Sequence, residues 1–415
     1  MIVKRTMEAA RFVAIVLACL AAASVLRAQN AGGRGQNPGA RGPGGGLSSD
    51  ACGTPAPLAE GDRPQQPVFP GGEYPVSLPA VSPTGVRNDL PNPYREGVDF
   101  GQLPEGRSWG SSGSVTTAPD GTIWVADRCG VLSASGPSCD GPRAAMNPLF
   151  QFDTSGKLLK NIGAGVFVGP HKLTFDAEGN IWVADGGHQV IKLDQNGKVL
   201  MTLGTKGVPG TGTNQFDTPT EVAVAGNGDI FVADGHTGGG TTQGNARIVK
   251  FDRAGKFLNS WGKKGMGPGE FDVPHSLTFD SRGRLFVADR QNSRVQIFDA
   301  DGHFIDQWLQ FGRPSAIYID KRTDTIYVSD SESRDGRTNT GRNFLQATGY
   351  GFNPGVRRGI RIGSARDGKV ANFIPDPCPY PYAGISNMGE GVTADRDGNV
   401  YDAELSRRIR KFAKR

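Results

Sequence analysis

After its first 28 residues, this 415-residue chain has no apolar run approaching the roughly 18 residues that a membrane span requires. A surplus of one charge is missing too. The formal net charge is +5 and mixed in sign, without a basic stripe or an aromatic-basic platform, which argues against nucleic acid as a partner. Cysteine and histidine are scarce, five of each. The cysteine spacing fits no zinc ribbon, and no Ser-His-Asp or reactive-Cys constellation stands out. The Gly-rich stretch Gly204–Gly212 lacks the ordered Gly-Lys-Ser/Thr of a phosphate cradle. Turns such as Asp176–Asn180 lack the further carboxylates of a calcium loop and are expected to be hairpin turns.

The start of the chain is informative. Lys4, Arg5 and Arg11 precede the apolar run Phe12–Val25, and small residues follow, so residues 1–28 are expected to be a signal peptide cut after Ala28. The protein is then secreted or periplasmic; a lipoprotein cut at Cys19 is the alternative. Cys52, Cys129, Cys139 and Cys378 would reach an oxidising compartment, where disulfides persist. Cys129 and Cys139 share one Gly/Ser/Pro-rich insertion and are the favoured pair, leaving Cys52 with Cys378; the other two pairings stay open. Residues 29–50 are nearly all Gly, Arg, Pro, Asn, Gln and Ala, a composition that cannot bury a core, and are expected to be a disordered linker. Residues 51–106 are Pro-rich and are expected to run extended around the following domain, 107–415.

That domain carries one pattern six times. A short apolar strand leads through a tight turn into a second strand ending in Val-Ala-Asp or a relative. The copies are Val115–Asp127, Leu173–Asp185, Val222–Asp234, Leu277–Asp289, Ile317–Asp330 and Val392–Glu404. Third and fourth strands follow most copies, as in Arg247–Phe251 and Phe257–Trp261. Asn-Gly, Asp-Gly and Arg-Gly turns between alternating strands are hairpin chemistry, and four short strands per repeat predict a propeller blade. The expected fold is all-β, a six-bladed β-propeller. The last copy stops at its third strand, so an N-terminal strand is expected to complete the ring.

The first strand of each blade lines the axis, so the residues at its start should converge. Blade by blade they are Gly113, His171, Thr220, His275, Ser315 and Glu390. Ligand-type side chains fall on alternate blades, a triangle about the axis. Two imidazoles and a carboxylate suit Zn²⁺ with a position left open, and the same trio suits Fe²⁺ or Mn²⁺. The bland reading is that both histidines merely cap Pro-His turns. The positions after each closing Asp read Arg128, Gly186, Gly235, Arg290, Ser331 and Leu405.

These copies resemble NHL repeats. The stretch His171–Trp308 more specifically resembles peptidyl-α-hydroxyglycine α-amidating lyase, a six-bladed NHL propeller. The words that carry the likeness are Gly169-Pro-His-Lys-Leu-Thr-Phe-Asp, His188-Gln-Val-Ile-Lys-Leu, Phe231-Val-Ala-Asp-Gly, Val273-Pro-His-Ser-Leu and Val287-Ala-Asp-Arg-Gln-Asn-Ser-Arg-Val-Gln. The resemblance implies zinc held by three His on alternate blades; His171 and His275 match two of them, and Glu390 stands in the third place. It also implies a calcium held by an Asp after the third His, but Gly391 stands there, so no calcium is carried over. Arg128 and Arg290 match arginines of the lyase site and suit a substrate carboxylate. His236 falls near the lyase's catalytic Tyr and could act as base or add a metal ligand. The expected activity is cleavage of an α-hydroxyglycine-type substrate, small molecule or peptide, to an amide and glyoxylate, by a monomer. The rivals are a non-catalytic binding scaffold and a metal-dependent lactonase or esterase.

Overall fold

The computed structural model describes residues 80–131, 138–236, 244–333, 353–376, 388–405 and 408–415. The segments 1–28 and 29–50, with Cys52 and Cys378, lie outside the described residues. Six four-stranded antiparallel sheets form the blades of a propeller. Their inner strands are Ser112–Thr117, Pro170–Phe175, Pro219–Val224, Pro274–Phe279, Ala316–Asp320 and Gly391–Ala394. The Val-Ala-Asp words form the second strands, Ile123–Asp127, Ile181–Asp185, Ile230–Asp234, Leu285–Asp289, Thr325–Asp330 and Val400–Glu404.

Blade six is completed by the two residues Val98–Asp99, which pair with Arg408–Phe412. Upstream, the chain runs along blades five and six: the Asn88 side chain bonds Gly355 and Arg357, and Phe373 donates to the Pro91 carbonyl. Pairing residues near 98 with residues near 411 closes the ring with main-chain bonds and removes its open edge. At the seam Gly97 has to be glycine, because a Cβ there would lie 2.6 Å from the Phe412 ring.

The repeat word has two structural jobs. Its aromatic position, filled by Trp124, Trp182, Phe231, Phe286, Tyr327 and Tyr401, packs onto the next blade. Trp124 meets Leu173 and Ile181, Trp182 meets Val222 and Ile230, and so on round to Tyr401 against Val115 and Ile123. Each such burial stabilises by roughly 1.5–3 kcal/mol, and each core cluster joins two blades. The closing Asp is fully buried and accepts a backbone N–H from the segment entering its inner strand. Gly110 donates to Asp127, Gly169 to Asp185, Asp217 to Asp234 and Asp272 to Asp289, at 2.5–2.7 Å.

Blade six departs from this rule. Its closing residue, Glu404, pairs with Arg410 at 2.7 Å, and the bond to the entering segment (Gly389 N–H) goes to Asp402, two residues earlier. The other blades place Val125, Val183, Val232, Val287 and Val328 there. Burial, then repulsion from Glu404, pushes the Asp402 carboxyl well above its ordinary range.

Candidate metal centre

The inner strands of blades one to four shift register by one residue at their starts, between Ser112 and Ser114, Pro170 and Leu173, Pro219 and Glu221, and Pro274 and Ser276. Such bulges re-aim a side chain. Here the bulged stretches hold Gly113, His171, Thr220 and His275. Pro170 and Pro274 open the two histidine strands at a first position, where a missing N–H is tolerated.

The structure brings His171, His236, His275 and Glu390 together, with one donor atom from each within 4.8 Å of the others. The three imidazoles form a near-regular triangle, with ring centroids 4.9, 4.9 and 5.0 Å apart. His171 Nδ1 lies 2.7 Å from the Thr220 carbonyl and His275 Nδ1 2.6 Å from the Ser315 carbonyl. A carbonyl only accepts, so both Nδ1 atoms carry the proton and both Nε2 atoms present lone pairs. His171 Nε2 is buried and has no hydrogen-bond partner among the described residues. An imidazole oriented by a backbone carbonyl, with its other nitrogen bare, is the usual state of a metal ligand.

The other donors converge on the same point. His236 Nε2 lies 3.1 Å from His275 Nε2, and Glu390 Oε1 lies 3.2 Å from it. The Ser331 hydroxyl donates to Glu390 Oε2 at 3.2 Å. Burial, then the neighbouring imidazoles, holds His171 well below its ordinary pKa; burial and Arg290 do the same for His275 and push His236 down to about 3. Burial alone would raise the Glu390 carboxyl, but Arg290 and Lys172 outweigh it and leave it below its ordinary value. Three neutral imidazoles and one carboxylate at the hub of a ring fit a divalent cation.

Two guanidinium groups flank the donors. Arg290 Nη1 is 2.8 Å from His275 Nε2 and 3.7 Å from Glu390 Oε1, and its Nη2 is 3.5 Å from His236 Nε2. Arg128 is buried beside them, its Nη2 close to Gly113 and its charge acting on His171 and Glu390. The other two histidines stand apart: His188 accepts the Thr218 N–H at a turn, and His303 is exposed and paired with Asp299 at 2.8 Å.

One feature of the axis was not read from the sequence. Below the donors lie Lys172 and Glu221, long charged side chains in a layer otherwise held by Ser114, Ser276, Ala316 and Gly391. Lys172 Nζ donates to the Glu390 carbonyl at 2.6 Å, and Glu221 accepts the Leu277 N–H at 3.0 Å. Burial raises the Glu221 carboxyl to about 7 against the pull of Lys172. Beyond this pair the channel opens into a cavity of about 350 Å³ at the opposite face, lined by residues including Thr116, Thr174, Thr278 and Tyr318. A long charged residue directly after the axis histidine was the available signal.

The NHL repeat family matches residues 271–298, the stretch from the entry of blade four to the end of its third strand. The chain is an NHL-repeat six-bladed β-propeller. Within that class it is related to the peptidyl-α-hydroxyglycine α-amidating lyases. It is 44% identical over 164 residues to such a lyase from Caenorhabditis elegans, covering 38% of this chain and 45% of that one. It is 40% identical over 184 residues to peptidyl-glycine α-amidating monooxygenase A of Xenopus laevis, covering 42% and 19%. NHL repeat-containing protein 3 of Homo sapiens is also similar, 41% identical over 139 residues, 32% of this chain and 39% of that protein. The chain thus spans less than half the length of these curated relatives. No helix among the described residues is long and apolar enough to cross a membrane.

Proposed function

We propose that this chain is an exported, metal-dependent C–N lyase. It would cleave an α-hydroxyglycine-type carbinolamide bearing a free carboxylate, as a small molecule or at a peptide end, into an amide and glyoxylate. The observation that carries this reading is the meeting of three imidazoles, one carboxylate and two guanidinium groups on the axis of a propeller related to amidating lyases. His171, His275 and Glu390 would hold the cation, Zn²⁺ or in its place Fe²⁺ or Mn²⁺. When bound, it would supply Lewis acidity that polarises the substrate's hydroxyl and carboxylate.

The remaining work falls to the chain's own side chains. Arg290 and Arg128 donate to the substrate carboxylate, with forks that suit a planar anion. His236, kept neutral, has a lone pair at Nε2 within reach of the same point, where it can take the hydroxyl proton or serve as a fourth donor. In the lytic step the hydroxyl proton leaves and the C–O bond becomes the aldehyde carbonyl of glyoxylate. The C–N pair goes to nitrogen, which regains a proton from the imidazolium, so the step balances. Glu390 in place of a third imidazole would lower the cation's net charge and temper its Lewis acidity. The Cys129–Cys139 disulfide suits an oxidising compartment and supports export.

Protein purified without chelator is expected to hold about one divalent cation per chain by elemental analysis. It is also expected to release glyoxylate from benzoyl-α-hydroxyglycine. A chain that takes up no cation is a binding scaffold. A loaded chain that yields no glyoxylate but opens lactones or esters is a hydrolase on the same scaffold.

A further inference from the structure

Arg128 and Arg290 flank the same donors but are held in different ways. Arg290 heads a tight turn, with Ser293 N–H bonded to the Arg290 carbonyl and Arg294 paired with Asp289 directly beyond it. Asn292 adds a bond to the Asp289 carboxylate at 2.9 Å. Arg290 is therefore fixed by an ordinary hairpin.

Blade one has no such hairpin. Its third strand, Leu149–Phe152, begins far downstream, and the first partner of Asp127 on that side is the Pro148 carbonyl. Arg128 instead leads directly into Cys129 and Gly130, both left-handed, with φ of 50° and 74°. For a non-glycine residue such as Cys129 that conformation persists only where the surroundings hold it. Cys129 is joined to Cys139 by a disulfide, and both sulfurs are buried. The N–H groups of Ser138 and Cys139 both donate to the Val168 carbonyl, at 2.9 and 2.8 Å. Val168 lies three residues before His171, and Asp185 accepts its own N–H. A covalent path therefore runs from the Arg128 turn to the entry of the His171 strand, across the boundary between blades one and two.

We propose that the Cys129–Cys139 disulfide is a positioning element for Arg128, replacing the hairpin that blade one lacks and registering its guanidinium against the His171 strand. This rests on the reading of Arg128 as a carboxylate-binding group. Without the bridge, the turn is free to leave its left-handed conformation, and the guanidinium loses its fixed place in the site.

The test is titration of zinc-loaded protein with glycolate, the smallest carboxylate bearing an α-hydroxyl, by calorimetry. It compares wild type, Arg128→Ala, the Cys129→Ser/Cys139→Ser pair and the triple variant. The serine pair is expected to weaken glycolate binding about tenfold with zinc content unchanged. The triple variant should bind no more weakly than Arg128→Ala, because residues acting as one unit are not additive. Amide exchange at Arg128–Gly130 should accelerate in the serine pair, while that of the His275 strand stays as in wild type. Wild-type affinity in the serine pair, or fully additive loss in the triple variant, overturns the proposal. Wild-type affinity in Arg128→Ala overturns the carboxylate reading, and the positioning role with it. If the serine pair does not fold, wild-type protein held reduced in a phosphine supplies the same comparison.

Discussion

Alternate blades of this ring do opposite things at the hub. Blades two, four and six send in His171, His275 and Glu390, while blades one, three and five present Gly113, Thr220 and Ser315. The small residues are not idle. The carbonyls of Thr220 and Ser315 hold the Nδ1 protons of the two histidines, and the Thr220 hydroxyl sits 2.7 Å from the Pro274 carbonyl, next to His275. Gly113 leaves room: a Cβ there would lie 3.1 Å from the His171 carbonyl and 3.4 Å from Arg128 Nη2. Donors on one set of blades thus depend on acceptors and space from the other, which is how a six-fold scaffold makes a site of lower symmetry.

The comparison breaks hardest on the donor side. His275→Ala removes a fully buried ligand and its link to Ser315, and is expected to abolish stoichiometric zinc, a loss of at least about 100-fold in affinity. Retention of wild-type zinc by that variant, measured after dialysis against a competing chelator, would show that the axis is not a metal site. A smaller effect is expected on the spacer side. Gly113→Val should keep zinc but displace the Arg128 guanidinium, weakening carboxylate binding by about tenfold. Zinc loss without a change in carboxylate affinity would reverse the roles assigned to the two kinds of blade.

The smallest effect concerns blade six, the donor blade whose core differs from the rest. The Asp402 carboxyl is raised in the fold, by burial first and Glu404 second, whereas in the unfolded chain it ionises near 4. Between those limits the folded state binds the extra proton, so its stability falls as pH rises. Asp402→Asn keeps an acceptor for the Gly389 N–H and removes the ionisation. It is expected to raise the unfolding midpoint at pH 8 by a few degrees and to leave it nearly unchanged at pH 4. Equal midpoints for variant and wild type at pH 8 would show that the carboxyl stays uncharged there at no cost.

Much of the architecture was legible because the repeat word carries its own physics. An aromatic for the neighbouring blade, a buried closing Asp and a glycine turn recur at nearly constant spacing, so counting words counts blades. Counting back from each Asp also reached the axis residues, since one strand and one turn separate them in almost every copy. The arrival of His236 beside His275 was less legible. It follows Gly235, whose φ of 139° few side chains tolerate, and no repeat position marks it. The switch from Glu404 to Asp402 in blade six was hidden, because both are carboxylates two residues apart on one strand.

By itself the sequence determined the number of blades, the residues that start each inner strand, and the pairing it favoured for Cys129, because those depend on short-range patterns. Only the tertiary structure decided which side chains meet across the axis, which carbonyl orients each imidazole, and that the Arg128 turn is tied to the approach to His171. Those relations join residues from different blades, and their distances exist only once the ring has closed.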